Sequence, residues 1–171
     1  VVITGVITFG DLAWSNNKAS VTVNKGAEDS LSIEYQVLDK DNQIISDYQL
    51  IANGQAVTNL SLGDFVIVRL TDGQKHGNTA SIEVTDGTEP TINATTGTVT
   101  TNSIQVTGVS AVDNEAGMPN TINYSYYIKA STAGDYGTAK YTGTDTSYNF
   151  TGLTRDTSYD IKITVADTAG N

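Results

Sequence analysis

The sequence predicts an all-β protein made of two tandem β-sandwiches. Three observations lead there. Apolar residues alternate with polar ones at period two over short runs, turn-forming pairs separate those runs, and no stretch carries the 3.6-residue period of a helix. The chain has 171 residues. A sandwich of this kind takes roughly 80–100, so the length holds one large domain or two small ones.

In the first half, Val21 and Val23 alternate with Ser20, Thr22 and Asn24. Leu31, Ile33, Tyr35 and Val37 alternate with Ser32, Glu34 and Gln36, the pattern of a half-buried strand. Phe65-Val66-Ile67-Val68 is apolar on both faces, which predicts a central strand. Ala80, Ile82 and Val84 alternate with Ser81, Glu83 and Thr85. Turn formers stand between the runs at Asn53-Gly54, Asp72-Gly73 and Asp86-Gly87. About seven short strands precede the stretch Asp86-Gly87-Thr88-Glu89-Pro90, after which the pattern restarts. Pro90 has no amide to donate and suits the start of an edge strand. The domains are therefore read as 1–87 and 88–171.

In the second half, Ile104 and Val106 begin a strand whose apolar phase then moves to Val109 and Ala111. A one-residue shift at Gly108 predicts a β-bulge. Ile122, Tyr124, Tyr126 and Ile128 alternate with Asn123, Ser125, Tyr127 and Lys129. Tyr159, Ile161, Ile163 and Val165 share one parity and are expected to face the core.

The spacing Leu153-x-x-x-Thr157-x-Tyr159 resembles the tyrosine corner of fibronectin type III domains, in which a buried Tyr satisfies its hydroxyl on nearby backbone. Two positions depart from that pattern: Arg155 stands where a Pro is usual, and Gly108 lies near the position of the usual core Trp. The first module is similar to Ig-like repeats of bacterial surface proteins. The resemblance is carried by Trp14, Ala19-Ser20-Val21-Thr22-Val23, Tyr35-Gln36-Val37, Gly63-Asp64, Arg69-Leu70-Thr71-Asp72-Gly73 and Ala80-Ser81-Ile82-Glu83-Val84. It implies an extracellular location on a bacterial surface and a non-catalytic role as spacer, stalk or adhesion module. A carbohydrate-binding, glycan-adhesive module is the alternative, and a phage-tail decoration module a further one. Implied partners are a cell-surface glycan or protein.

The chain begins without Met, basic n-region or apolar h-region, so its N-terminus reads as a boundary within a longer polypeptide. Measured against the fibronectin type III pattern, the second module stops before a final strand. The strand through Tyr159 and Val165 is then expected to have an open edge. That edge is predicted to be covered by a neighbour or by strand exchange, or else to fray.

Composition narrows the chemistry. Nineteen acidic residues against nine basic ones give a net charge of −10, which argues against nucleic acid and anionic membrane as partners. No apolar run approaches the ~18 residues a membrane-spanning helix needs. Cysteine is absent and His76 is the sole histidine, placed by the sequence inside a solvated turn. Nucleophilic triads and zinc sites therefore lack their parts. Paired carboxylates for glycoside hydrolysis have no recognisable motif around them. The chain is read as no enzyme.

The best chemical possibility is a hard cation. In a fibronectin type III-like sandwich, the loops holding Asp113-Asn114-Glu115 and Asp167 share the pole where the chain enters, near Asp86 and Glu89. Calcium takes six to eight oxygen ligands, and Asp113, Glu115, Asp167 and Glu89 are the expected set, at the domain junction. For a sugar, the ring faces expected to be free are Tyr127, Tyr136 and Tyr141.

Overall fold

The computed structural model describes residues 2–27 and 30–171, which form thirteen strands and no helix. The chain divides into two compact units. One comprises residues 1–87 with 114–116, the other residues 88–113 with 117–171.

The first unit holds β1 (Ile7–Ser15), β2 (Lys18–Lys25), β3 (Ser32–Leu38), β4 (Ile44–Ile51), β5 (Ala56–Leu60), β6 (Phe65–Thr71) and β7 (His76–Glu83). They build two antiparallel sheets, β1-β2-β5 and β4-β3-β6-β7. As its two-sided apolar run requires, β6 lies between β3 and β7, with Val66, Val68 and Leu70 turned into the core. Ile33 and Val37 meet them from β3, and Val21 and Val23 face them from the other sheet. The tightest hairpin has no glycine. Ser15 pairs with Lys18 across Asn16 and Asn17, which both take positive φ, 51° and 59°. Asparagine tolerates that region better than most residues, and two such residues match the twist of the flanking strands.

At Asp72-Gly73 the expected turn forms. The Asp72 carboxylate accepts the amides of Gln74 (2.8 Å) and Lys75 (2.7 Å), and these bonds lower its pKa from the ordinary carboxylate value. Two expectations need correcting. His76 is not a turn residue: it opens β7 opposite Thr71. Asp86 does not head a turn either, since its carboxylate is buried and accepts the Ala116 amide at 2.9 Å.

The second unit holds β8 (Thr91–Val99), β9 (Ser103–Val112), β10 (Tyr124–Ala130), β11 (Tyr141–Gly143), β12 (Tyr148–Thr151) and β13 (Tyr159–Thr164). Its sheets are β12-β9-β8 and β11-β10-β13. The bulge falls at Gly108. Asn93 pairs with Ser110 but Thr95 with Thr107, so β9 spends one residue more than β8, and Gly108 takes φ 63°. This lets Val106, Val109 and Ala111 all face the core. The tyrosine corner closes as its spacing implies, with the Thr154 amide donating to the Tyr159 hydroxyl at 2.8 Å.

Tyr126 is the largest fully buried side chain, and its hydroxyl donates to the Asp145 carbonyl at 2.6 Å. Burial, then the neighbouring Tyr124, Asp145 and Tyr141, push its phenol above the usual tyrosine value. The folded state therefore holds that proton more tightly than the unfolded chain does. The associated stability is complete below pH ~10 and declines as pH rises through the folded-state value. Tyr126→Phe is expected to cost about 1 kcal/mol at pH 8 from the lost hydrogen bond. The variant is also expected to flatten the stability loss above pH ~10, as urea titrations at the two pH values would read.

Candidate functional site

Two clusters in the second unit and one in the first carry the chemistry of this molecule. In the second unit, β9 runs out at Val112 and delivers Asp113 into a loop, while Asp167 follows β13. Asp113 accepts the Gly117 amide at 2.6 Å. Asp167 is only 5 % exposed and organises the turn after it. Its Oδ1 accepts the amides of Gly170 (2.7 Å) and Asn171 (2.9 Å), and its Oδ2 accepts the Asn171 side-chain amide at 3.1 Å. The Thr168 amide donates to the Gly117 carbonyl at 3.0 Å and ties the two loops together. Carboxylate oxygens of Asp113 and Asp167 come within 4.8 Å of each other.

Of the four residues expected to hold calcium, the structure thus brings these two together. Glu89 is exposed and Glu115 half-buried, and neither belongs to the carboxylates converging there. Much of the lone-pair capacity of Asp167 is already engaged by backbone, as is usual for an Asp in a turn.

The second cluster is the outer face of the β11-β10-β13 sheet. Tyr127 on β10 pairs with Lys162 on β13, so both side chains leave the same face. The Lys162 ammonium lies 4.5 Å from the Tyr127 ring centre and 5.1 Å from that of Tyr136. Lys129 lies 5.1 Å from the Tyr136 ring and donates to the Ala133 carbonyl at 2.9 Å. Both rings therefore have a cation on one face, an arrangement that aromatic quadrupoles favour.

Tyr141 corrects an expectation. It is not a free ring but stacks on Tyr148 (centres 5.4 Å apart, 19° between planes) and packs against the core. A hydrogen bond with Asp145 raises its phenol above the ordinary value. β11 is only three residues long, and its pairing with β10 sets Tyr141 opposite the buried Tyr126.

In the first unit, Glu34, Arg69, His76 and Tyr48 meet across β3, β6, β7 and β4. Glu34 receives Arg69 Nε at 2.9 Å and faces His76 Nδ1 at 3.4 Å, while the guanidinium lies 3.6 Å over the Tyr48 ring. The guanidinium thus lies between a carboxylate and an aromatic face, and the histidine reaches the same carboxylate oxygen. Sequence reasoning missed this group, because its members lie on four strands and only the register gathers them.

No family model matches the sequence, and no curated protein does. Solved structures do. A two-domain fibronectin type III segment from chicken tenascin aligns over 95 % of this chain and 90 % of its own, with TM-score 0.57 and 13 % identity. The fold is that of tandem fibronectin type III/Ig-like sandwiches. Weaker likenesses are a fibronectin-domain segment of chicken CNTN1 and a titin segment. The first has 13 % identity and TM-score 0.38, over 94 % of this chain and 62 % of that one. The second has 17 % identity and TM-score 0.42, over 94 % and 55 %.

In this fibronectin type III-like unit, the Asp167 turn is a structural anchor. Asp167→Ala removes three hydrogen bonds to one carboxylate and is expected to cost about 2 kcal/mol. Thermal unfolding of the variant beside Asp113→Ala, which loses the bond from the Gly117 amide, would rank the two.

Proposed function

We propose that the chain is a non-catalytic spacer or adhesion segment of an extracellular bacterial surface protein. The observation that carries this reading is that each unit closes a hydrophobic core from its own strands. Such a unit folds and bears load as an autonomous element. Domains of this fold often serve as spacers or adhesion modules, are commonly extracellular and are typically non-catalytic. No helix among the described residues is long and apolar enough to cross a membrane. Single-molecule pulling is expected to show two separate unfolding events. Each should release roughly 300 Å of contour, the length of about 85 extended residues. One merged event would sink the reading.

A glycan-adhesive role is the second reading, and the cation-backed rings of Tyr127 and Tyr136 favour it. A pyranose stacking on the open ring faces would find the Lys162 and Lys129 ammoniums beside it, which suits an acidic sugar. If so, glycan-array binding should be lost in Tyr127→Ala and Tyr136→Ala and kept in Tyr141→Phe. Binding that survives both alanine changes would exclude this face.

Calcium enters the proposal through Asp113 and Asp167. Two carboxylates are a partial set for a cation that takes six to eight oxygens, the remainder coming from carbonyls and water. Bound there, the ion would stiffen the loop pair of the second unit. Millimolar Ca²⁺ is expected to raise the melting temperature of the wild type and leave Asp113→Asn unmoved. Identical melting with Ca²⁺ and with chelator would dispose of the site.

A further inference from the structure

In the first unit, β4 is an edge of one sheet and β5 an edge of the other. Both strands are bulged. Along β4, Gln49 pairs with Tyr35 but Ser46 with Val37, so β4 spends one residue more than β3. Val37 faces the core, and paired residues share a face, so Ser46 and Gln49 both turn inward. Along β5, Leu60 pairs with Ala19 but Val57 with Val21, and Asn59 takes φ 63°. Bulges at sheet edges re-aim side chains in this way. Between the two strands lies a pocket of about 320 Å³, with the buried Val37, Val57 and Leu60 in its wall.

Two charged groups line this pocket without a counter-charge. Asp64 is only 5 % exposed. Its Oδ2 accepts the Ser61 amide at 2.7 Å, and among the described residues no donor reaches its Oδ1. Lys18 donates to the hydroxyl of the same serine at 2.8 Å and forms no ion pair among the described residues. A carboxylate so deeply buried normally has its lone pairs filled. An open carboxylate oxygen and a spare ammonium, both held on Ser61, call for a ligand that can donate to one and accept from the other.

The remaining polar groups decide the class. Gln49, Thr58 and Asn59 add side chains that both donate and accept. A zwitterionic amino acid has two polar ends and leaves most of these unused. A sugar carries hydroxyls around its ring, each able to donate to Asp64 or accept from Lys18. Its C–H face suits the Tyr35 ring and Val57. A volume at the small end of ligand pockets suits one sugar residue rather than a chain.

We propose that this pocket of the first unit binds a single residue of a neutral sugar, anchored by a hydroxyl donating to Asp64 Oδ1 and by Lys18 donating to a sugar oxygen. The site is separate from the Tyr127 and Tyr136 face and stands whether or not that face binds a glycan.

Amide-detected NMR titration of the protein with glucose, galactose, mannose and N-acetylglucosamine tests it. Shifts at Ser46, Gln49, Asn59, Ser61 and Asp64 are expected to saturate with at least one of these, with a Kd on the order of 1 mM for a ligand of that size. Asp64→Asn keeps an oxygen for the Ser61 amide, and Lys18→Ala changes an exposed side chain, so the same spectra should show both variants folded. Each is expected to weaken binding about tenfold or more. Tyr127→Ala is expected to bind like the wild type, which separates this site from the other face. No saturable shift up to ~100 mM of each sugar would overturn the proposal. So would wild-type binding by folded Asp64→Asn and Lys18→Ala, or saturation of the pocket by leucine and by none of the sugars.

Discussion

With no helix among the described residues, every buried amide and carbonyl must find its partner on another strand or in a turn. That constraint organises both units. It makes each strand's register matter, since a slip of one residue would turn Val66 and Val68 out of the core and bring Ile67 and Arg69 in. It also gives the Asp side chains their work. Asp64, Asp72, Asp113 and Asp167 each cap backbone amides where the ladder cannot reach. The acidity of the sequence is therefore partly architectural, with carboxylates serving as the fold's turn fasteners.

The same accounting explains the bulge and the corner. β9 needs its apolar residues on one face on both sides of Gly108, and a left-handed glycine supplies the extra residue that makes this possible. Tyr159 fills core space and also satisfies the Thr154 amide. Tyr126 does the same with the Asp145 carbonyl; the rings of Tyr141 and Tyr148 pack against it, and Phe150 meets Tyr148 edge-on.

What the sequence made legible was whatever repeats along the chain: the period-two strands, the phase change at Gly108, the spacing of the corner, and β6 as a central strand. The Asn16-Asn17 hairpin was open to reading, as two adjacent asparagines between strand residues. What stayed hidden depends on which strands become neighbours. Tyr141 looked like a free ring because a three-residue strand has too few alternations to reveal its inward side. Lys162 could not be matched to Tyr127, nor Glu34 to Arg69 and His76, until the registers were known. Asp113 and Asp167 could be placed together because loop position in this fold follows from strand order. Glu89 and Glu115 sit on segments that strand order does not fix.

The ladders also set an order of events. Only β1 and β2 are joined by a two-residue turn. β3 must find β6 across β4 and β5, which belong to different sheets, and Ser125 must wait for Thr164 before β10 and β13 align. Loop closure precedes any reward in such pairings, which places each unit among proteins that fold over milliseconds to seconds. The Asn16-Asn17 turn is then the natural seed of the first unit. The second has no two-residue turn among its described strands, and its chain emerges from synthesis with β8, β9 and β12 able to assemble before β10 meets β13.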